Sequence, residues 1–468
     1  MTGSATRVSR AIGCLIGNPD LRFDKSFVER ATAAFTDTTG AMLAGAAEPP
    51  VALALRVAQD QFGATGPAAT AVLGRGGPLS ASGAALVNGV AAHALDYDDV
   101  SSSVEGHPSA ALVPLLLAQA EFGGGTGQEV LEAYLVGLHV SSSVGAGFDM
   151  RASYARGWHM TSVLGALGGA AAAARLRRLD ADQARAAIGI AGSVAAGSRA
   201  SFGTMVKPLH VGMTAAEAIF AAALAAAGYG ANPSLIEAPL GFLALHAESP
   251  VDLAAIEQAL AGPVGSAVTT LDVKRYPCCY HTHRMIDAAL AIRTRAPADG
   301  PDAIESVRIT TAPGGTAALI YHRPVTPTEA KFSAEYTVST ALTDGAITGM
   351  SFAEAALGRP AVRALMERTE VREQDVPPAG PRAWSDSYAV AEVLFRGGRQ
   401  ETERVDVAKG AHPSPLTPAE LGEKFLACAA AYPDHAVDGA RALGLVKALP
   451  DDDNPGSLLR RILSAKSE

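Results

Sequence analysis

Apolar residues recur at three- and four-residue spacing from about Lys25 to Ala231. The segments include SFVERATAAFTDTTGAMLAGA, LSASGAALVNGVAAHAL, SAALVPLLLAQAEF, EVLEAYLVGLHVSSSVG, MTSVLGALGGAAAAARL and MTAAEAIFAAALAAAGYG. That period predicts consecutive helices whose ends are marked by Gly and Pro. The pattern changes near Gly265. AVTTLDVKRYP and ESVRITTAP carry the β-branched content of strands, and SDSYAVAEVLFRGGRQETERVDVAKG predicts two strands around a Gly397-Gly398 turn. MIDAALAIRTRA and PTEAKFSAEYTVSTALTDG, between them, predict helices. The tail returns to helix with TPAELGEKFLACAAAY and DHAVDGARALGLVKALP. The expected fold is therefore mainly α. A large helical domain is built from both chain ends (residues 1–264 and 411–468), and a smaller α+β domain (265–410) is inserted in it. The glycines of GALGG predict a close approach of two helices, and EFGGGTGQE a connector between helices, since no strand precedes it.

Composition adds to this picture. Hydrophobic residues make up 48% of the chain and charged residues 18%, which suits a large interior; aromatics stand at 5%, so Ala, Leu and Val must fill it. A length of 468 residues exceeds one compact core, in keeping with two domains. The formal net charge of -9, with no basic run, argues against nucleic acid or an anionic membrane as partner. Cys14, Cys278, Cys279 and Cys428 form no disulfide framework, and a cytoplasmic location is expected. Arg7, Arg10 and AIGCLIG imitate a secretory signal weakly, because Asn18-Pro19-Asp20 interrupts the short apolar run. Stretches such as 215–227 are too short and too weakly apolar to predict a membrane span.

Three stretches gather polar groups against this apolar background. HALDYDDVSSSVEGHPSAAL (93–112) brings Asp96, Asp98, Asp99, Glu105 and His107 to the junction of two predicted helices, one ending around Ala94 and one beginning around Pro108. His107 then stands at a helix N-terminus, where Asp96 could meet it as an acid/base pair; the plainer alternative is a turn of aspartates and a capping histidine. RASFGTMVKPLHVGMTAAEA (199–218) places Arg199, Lys207 and His210 before a helix expected to open at Met213 or Thr214, a plausible carboxylate clamp. DVKRYPCCYHTHRMIDAA (272–289) offers Lys274, Cys278, Cys279, His281 and His283. Zinc is disfavoured there, since neighbouring cysteines point apart and no second Cys-rich half exists; an iron–sulfur cluster needs more thiolates. His283 is left for proton transfer or substrate binding, with Lys274 a further substrate-binding candidate. His159 sits just before an apolar helix as His107 does, and Tyr321 precedes a Pro-rich turn; Lys331 and Tyr336 read as packing or surface groups. No nucleotide fingerprint, nucleophile elbow, HExxH or EF-hand occurs. His, Asp, Lys and Tyr make a set suited to abstracting a proton from carbon without a cofactor.

HALDYDD…GHPSAALVP, GWHMTSVLGALG, SFGTMVKPLHVG, KRYPCC…THRMIDAA and RPVTPTEAKFSAEY resemble, in that order, segments of the 2-methylcitrate dehydratase (MmgE/PrpD) family. That family includes 2-methylcitrate dehydratase, cis-aconitate decarboxylase and iminodisuccinate epimerase. The resemblance spans about Phe27 to the C-terminal helices. It implies a helical domain made from both chain ends, an inserted α+β domain, a homodimer, a cleft between the domains, and no metal or organic cofactor. It also implies that Asp96, His107, His159, Lys207 and His283 act in catalysis and that Tyr321 lines the site. Val100 stands where many members have Thr after the Asp-Asp pair. Met213, Ala216 and Glu217 occupy a stretch where members often carry a histidine and then an arginine.

The expected activity is cofactor-independent proton transfer beside a carboxylate of a small di- or tricarboxylic acid. Lys207, with Arg199 or His210, would neutralise the carboxylate; His107, tuned by Asp96, would be the acid/base; His159 or His283 would serve the opposite face. Dehydration leads, as in a 2-methylcitrate dehydratase-like hydro-lyase. Epimerisation of an iminodisuccinate-like acid and decarboxylation of a cis-aconitate-like acid are the alternatives. The rivals from other classes are an inactive carboxylate-binding protein, favoured by Val100 and Met213, and a metal hydrolase.

Overall fold

The computed structural model describes residues 7–63, 69–71, 78–296, 300–381, 387–433 and 436–464. The protein is mainly helical and divides into two compact units. The first comprises Met1–Ser201, Met205–Val273 and Thr417–Glu468; the second comprises Phe202–Thr204 and Lys274–Leu416.

In the first unit the buried core is built chiefly from Ala, Leu and Val. Small residues allow helix backbones to touch, and this sets the packing. The helix Gly127–Gly145 crosses Met160–Leu176 at Gly137 and Gly168, where a Cβ on Gly168 would stand 2.8 Å from the Gly137 carbonyl oxygen. The second crossing joins Ala81–Ala94 to Val206–Ala226. A Cβ on Gly89 would lie 2.9 Å from Gly212 Cα, and one on Gly212 would lie 2.4 Å from the Leu86 carbonyl oxygen. The two helices run antiparallel here. About one turn beyond the crossing, the C-terminal end of the first and the N-terminal end of the second present His93 and Lys207 to each other.

The helix expected to open at Met213 or Thr214 instead opens at Val206, so Lys207 and His210 lie in its first turns. Pro208 is compatible with this because first-turn N–H groups have no intrahelical acceptor. The longer helix, 21 residues, has the length and apolarity of a membrane span, but 56% of its most apolar window is buried in the fold. Pro418–Ala430, the first of the C-terminal helices, packs on Lys25–Gly45. Gly40 makes room for it, since a Cβ there would meet Phe425 at 3.2 Å.

Strands are numbered in chain order. β1 (Val100–Ser101) and β2 (Leu271–Asp272) form a two-residue antiparallel ribbon inside the first unit. This corrects the reading of AVTTLDVKRYP as a strand of the smaller domain: Ser266–Thr270 is a 3-10 turn and only Leu271–Asp272 is extended. Pairing with Val100–Ser101 holds the segment in the first unit, so the units change at Val273–Lys274 and again at Leu416–Thr417, not near 265 and 410.

The second unit carries a four-stranded sheet in the order β4-β3-β5-β6, from β3 (Ile304–Thr311), β4 (Thr369–Glu373), β5 (Ala389–Phe395) and β6 (Gln400–Val405). β5 and β6 are joined by the three-residue loop 396–398, closed by Phe395 N–H donating to Arg399 O, with Gly397 and Gly398 both at positive φ. β4, parallel to β3, was not anticipated, because the edge sequence TEVRE is charged and carries little strand signal. PTEAKFSAEYTVSTALTDG is not one helix. Thr326 caps Pro327–Ala330 and Ser333 caps Ala334–Asp344, so the chain restarts between them.

Candidate active site

The candidate site of the first unit lies where the loop 95–107 meets the N-terminal ends of three helices. Leu95 caps Ala81–Ala94, and Asp96 follows at φ 54, a left-handed conformation that Asp tolerates better than most residues. The far end of the loop is stapled by β1 and by the reciprocal bonds Ser101 N–Gly106 O and Gly106 N–Ser101 O. Gly106 has to be glycine: a Cβ there would stand 2.7–2.9 Å from Thr161. His107 then takes the N-cap position of Pro108–Gly123, and its N–H donates to Thr161 Oγ1 at 3.2 Å. His159 is N-cap of Met160–Leu176, held by its N–H donating to Gly197 O at 3.0 Å.

Four imidazoles, two carboxylates and one ammonium group meet there. Asp98, fully buried, accepts from His93 Nδ1 at 2.9 Å and lies 3.2 Å from His107 Nδ1. His107 Nδ1 also donates to the Asp99 carbonyl oxygen at 2.8 Å. A carboxylate and a carbonyl can only accept, so both rings carry their proton on Nδ1 and keep a lone pair on Nε2. His93 uses that lone pair to accept from Lys207 Nζ at 2.8 Å, and Lys207 Nζ donates to Asp96 Oδ1 at 2.5 Å. His107 Nε2 lies 3.8 Å from the same Asp96 oxygen. The His93 and His107 rings meet edge to face at 4.6 Å, His93 and His159 stack at 6.2 Å, and His159 Nδ1 is 3.1 Å from His210 Nδ1.

Burial sets the charge states. It pushes His93 down to about 4, with Lys207 adding to the effect and Asp98 opposing it, so this ring is neutral at pH 7. Burial and Lys207 hold His159 well below its usual value and lower His210 as well. Burial alone would raise Asp98, but the His93 and His107 rings outweigh it and keep its carboxyl ionised. The side chain of His107 is 12% exposed, against 0% for His93 and Asp98. His107 is therefore the less deeply buried of the two rings that share Asp98, and its Nε2 keeps a lone pair.

Of the first-unit residues singled out in the sequence, Asp96, His107, His159, Lys207 and His210 come together. Asp96 does not orient His107, as expected of it. It pairs with Lys207, and Asp98 is the carboxylate on His107 Nδ1. Arg199 is turned to Tyr154, over its ring at 3.5 Å and bonded to its carbonyl at 2.5 Å. His93 and Asp98 were missed as functional residues, although they open and close the string HALDYD. The available signal was a histidine on the last turn of a helix, close enough to an aspartate in the following loop for the chain to fold back on itself.

In the second unit, His283 is fully buried at the start of His283–Arg293, its ring 5.1 Å from Tyr276 and 4.9 Å from Tyr280. Lys274 is also fully buried, and the half-buried Tyr321 donates to Phe202 O at 3.2 Å. Lys331 and Tyr336, read as packing or surface groups, are both buried.

Among the described residues, one group of His, Cys, Asp or Glu has ligand atoms close enough to hold a metal ion: His93, Asp96, Asp98 and His107, within 4.8 Å of one another. The set already holds a cation, since the Lys207 ammonium bonds to two of its members. His281, the other histidine of the Cys-rich stretch, donates Nδ1 to Gly315 O at 2.9 Å.

The chain matches the MmgE/PrpD N-terminal domain over residues 20–253 and the MmgE/PrpD C-terminal domain over residues 276–444. It is 33% identical to the cis-aconitate decarboxylase of Homo sapiens over 358 residues, 74% of this chain and 72% of that one. It is 31% identical to the Mus musculus enzyme of the same name over 404 residues, 82% and 78% of the two chains. A cis-aconitate decarboxylase-like protein of Aspergillus oryzae is 26% identical over 362 residues, 73% and 74% of the two. On both domain matches and on this coverage, the chain belongs to the MmgE/PrpD family.

Proposed function

We propose that this protein is a decarboxylase of a small unsaturated tricarboxylate of the cis-aconitate type, working by proton transfer without a redox step. The observation that carries the reading is the Lys207 ammonium, buried between Asp96 and His93 with His107 Nε2 alongside. The names of the human and mouse relatives move the weight to decarboxylation from dehydration, which the sequence alone had favoured.

In such a substrate the departing carboxylate sits on a CH2 group beside a carbon–carbon double bond. When its C–C bond breaks, carbon dioxide leaves and the electron pair shifts through the double bond to the far carbon, which bears another carboxylate. The developing charge spreads onto that carboxylate. Lys207 neutralises it, and a preorganised cation in a site of low dielectric is worth far more there than in water. His107, loaded with a proton at Nε2, delivers it to the far carbon. Asp98 stabilises the imidazolium through the Nδ1–H bond, much as a triad carboxylate does. The product is a dicarboxylate with a terminal methylidene group.

Hydration or dehydration is the second reading, favoured by the His159–His210 pair, which offers a second proton-transfer position for a leaving hydroxyl. Proton NMR of the protein with cis-aconitate in deuterated water separates the two. Decarboxylation gives a methylidene dicarboxylate carrying deuterium at the protonated carbon; hydration gives hydroxy acids and no carbon dioxide. Substrate that stays unchanged, without exchange, would overturn both.

A further inference from the structure

Lysines are seldom buried unless paired, and the mechanism above uses one of those this protein buries. Lys424 lies on Pro418–Ala430, the first of the C-terminal helices, and its side chain is 5% exposed. Its Nζ bonds to Asp37 Oδ1 at 2.6 Å, on the buried face of Lys25–Gly45, and donates to the Tyr97 carbonyl oxygen at 2.8 Å. It also stands 3.9 Å from the centre of the Tyr97 ring.

Tyr97 is the residue between Asp96 and Asp98. Those neighbours point their carboxylates at Lys207, His93 and His107. The next carboxylate, Asp99, points elsewhere: it accepts from Ser109 N at 3.3 Å and from Ser109 Oγ, which in turn is 2.7 Å from Tyr134 OH. The loop is thus held between two polar layers, the candidate site on one side and Asp37, Lys424, Asp99, Ser109 and Tyr134 on the other. Cys428, Asp99 and Tyr134 are titratable groups that feel Asp37, and Cys428 also feels Lys424. The loop 95–107 has no regular element beyond the two residues of β1 and carries Asp96 and Glu105 at positive φ, so its side-chain directions depend on what grips its backbone.

We propose that Lys424 is a positioning residue of the site, acting through the Tyr97 carbonyl to aim Asp96 at Lys207 and Asp98 at the two imidazoles. The helix Pro418–Ala430 therefore completes the active unit and does not merely cover it. The proposal deepens the function given above and rests on it for the identity of the acid/base group, but one of its readouts needs no substrate.

The test uses the full chain with Asp37→Asn/Lys424→Met, which removes both buried charges together so that neither is stranded, and Lys424→Arg, which keeps the charge but cannot put its wider fork in the same place. Imidazole nitrogen NMR reads the tautomers of His93 and His107 with no substrate present; turnover of cis-aconitate is read against pH. We expect the folded double variant to lose the fixed Nδ1–H signals of both rings. Its kcat should fall by about 10²-fold with KM little changed, the cost of a small misplacement at a site of this kind. Imidazole signals and a pH profile like the parent's, in the folded double variant, would overturn the proposal. If the double variant does not fold, the same comparison is made on Lys424→Arg, where unshifted imidazole signals overturn it equally. Shifted signals in a protein whose parent has no turnover would sink the decarboxylase reading and leave the positioning role standing.

Discussion

Lys207 and His93 share one hydrogen bond, Nζ to Nε2 at 2.8 Å, between helices that cross at a pair of glycines. The contact orders the whole cluster. It satisfies one ammonium proton with a neutral acceptor, leaves Asp96 to balance the charge, and fixes the His93 proton on the side of Asp98.

His93→Phe tests that arrangement. It keeps a ring in the space but removes both nitrogens, so Lys207 loses an acceptor and Asp98 loses a donor. The expected result is a fall in kcat of about 10²–10⁴-fold, the range for disabling acid/base chemistry, with a smaller change in KM. Steady-state release of carbon dioxide from cis-aconitate measures it. Full turnover in this variant would remove His93 from the site.

Asp98→Asn separates tautomer control from charge. The amide oxygen can still accept from one imidazole, but its NH2 group faces an N–H on the other and forces one ring to turn or to change tautomer. We expect kcat to fall by about 10³–10⁴-fold, as when a triad carboxylate is replaced by its amide. Binding of the substrate, measured by calorimetry, should weaken far less than turnover.

The helical repeat was legible because Ala81–Ala94 and Pro108–Gly123 carry strong punctuation: a Ser80 cap before the first and Pro108 opening the second. The polar residues between them stood out against apolar neighbours, and so did Lys207. The partnerships were not legible. Asp96 and Asp98 both lie near His107 in sequence, and only the left-handed turn at Asp96 decides that one faces Lys207 and the other the imidazoles. His93 looked like one more residue of an apolar helix, because its role depends on a crossing with a segment more than a hundred residues away. Lys424 was hidden for a similar reason: a lysine on an amphipathic helix reads as solvated until its partner Asp37 is known.

The buried imidazoles predict a pH dependence of stability. His93 goes from an ordinary 6.5 to about 4 on folding, and His159 and His210 are also lowered. Between those values the unfolded chain binds protons that the folded one does not, so stability falls as pH falls from about 6.5. His93 alone is worth on the order of 3 kcal/mol over that range. Asp99 has the opposite sign. Burial raises it from 3.8 to about 8, so the folded protein keeps a proton the unfolded chain has lost, and stability falls as pH rises towards 8. Below pH 6.5 Asp99 offsets the effect of His93 and the lowered His159 and His210 supply the net acid-side loss, so urea midpoints should peak near pH 6.5 and drop on both sides, and His93→Phe should flatten the acid side. A midpoint that rises steadily from about pH 5 to 8.5 would contradict the Asp99 assignment, and an acid side unchanged by His93→Phe would contradict that of His93.

Gly212→Ala links packing to chemistry. Alanine suits a helix interior better than glycine, and at an unconstrained position it would stabilise the protein by about 1 kcal/mol. Here the new Cβ would stand 2.4 Å from the Leu86 carbonyl oxygen and 2.8 Å from Val90 Cγ2. The first contact is with backbone and cannot rotate away, so the helices must separate. The steric cost should outweigh the propensity gain and leave a net loss of about 1–3 kcal/mol, read by urea unfolding. Separation at the crossing also moves Val206–Ala226 relative to Ala81–Ala94, and with it Lys207 from His93, about one turn away. The folded variant should accordingly lose kcat by about 10-fold or more, since small misplacements are costly at such sites. Gly168→Ala is the control: its Cβ would clash with the Gly137 carbonyl at 2.8 Å, on a crossing that carries neither residue of the Lys207–His93 bond. It should lose comparable stability with a smaller loss of kcat. Equal losses of kcat in the two variants would show that the Gly89–Gly212 crossing has no particular part in setting that bond.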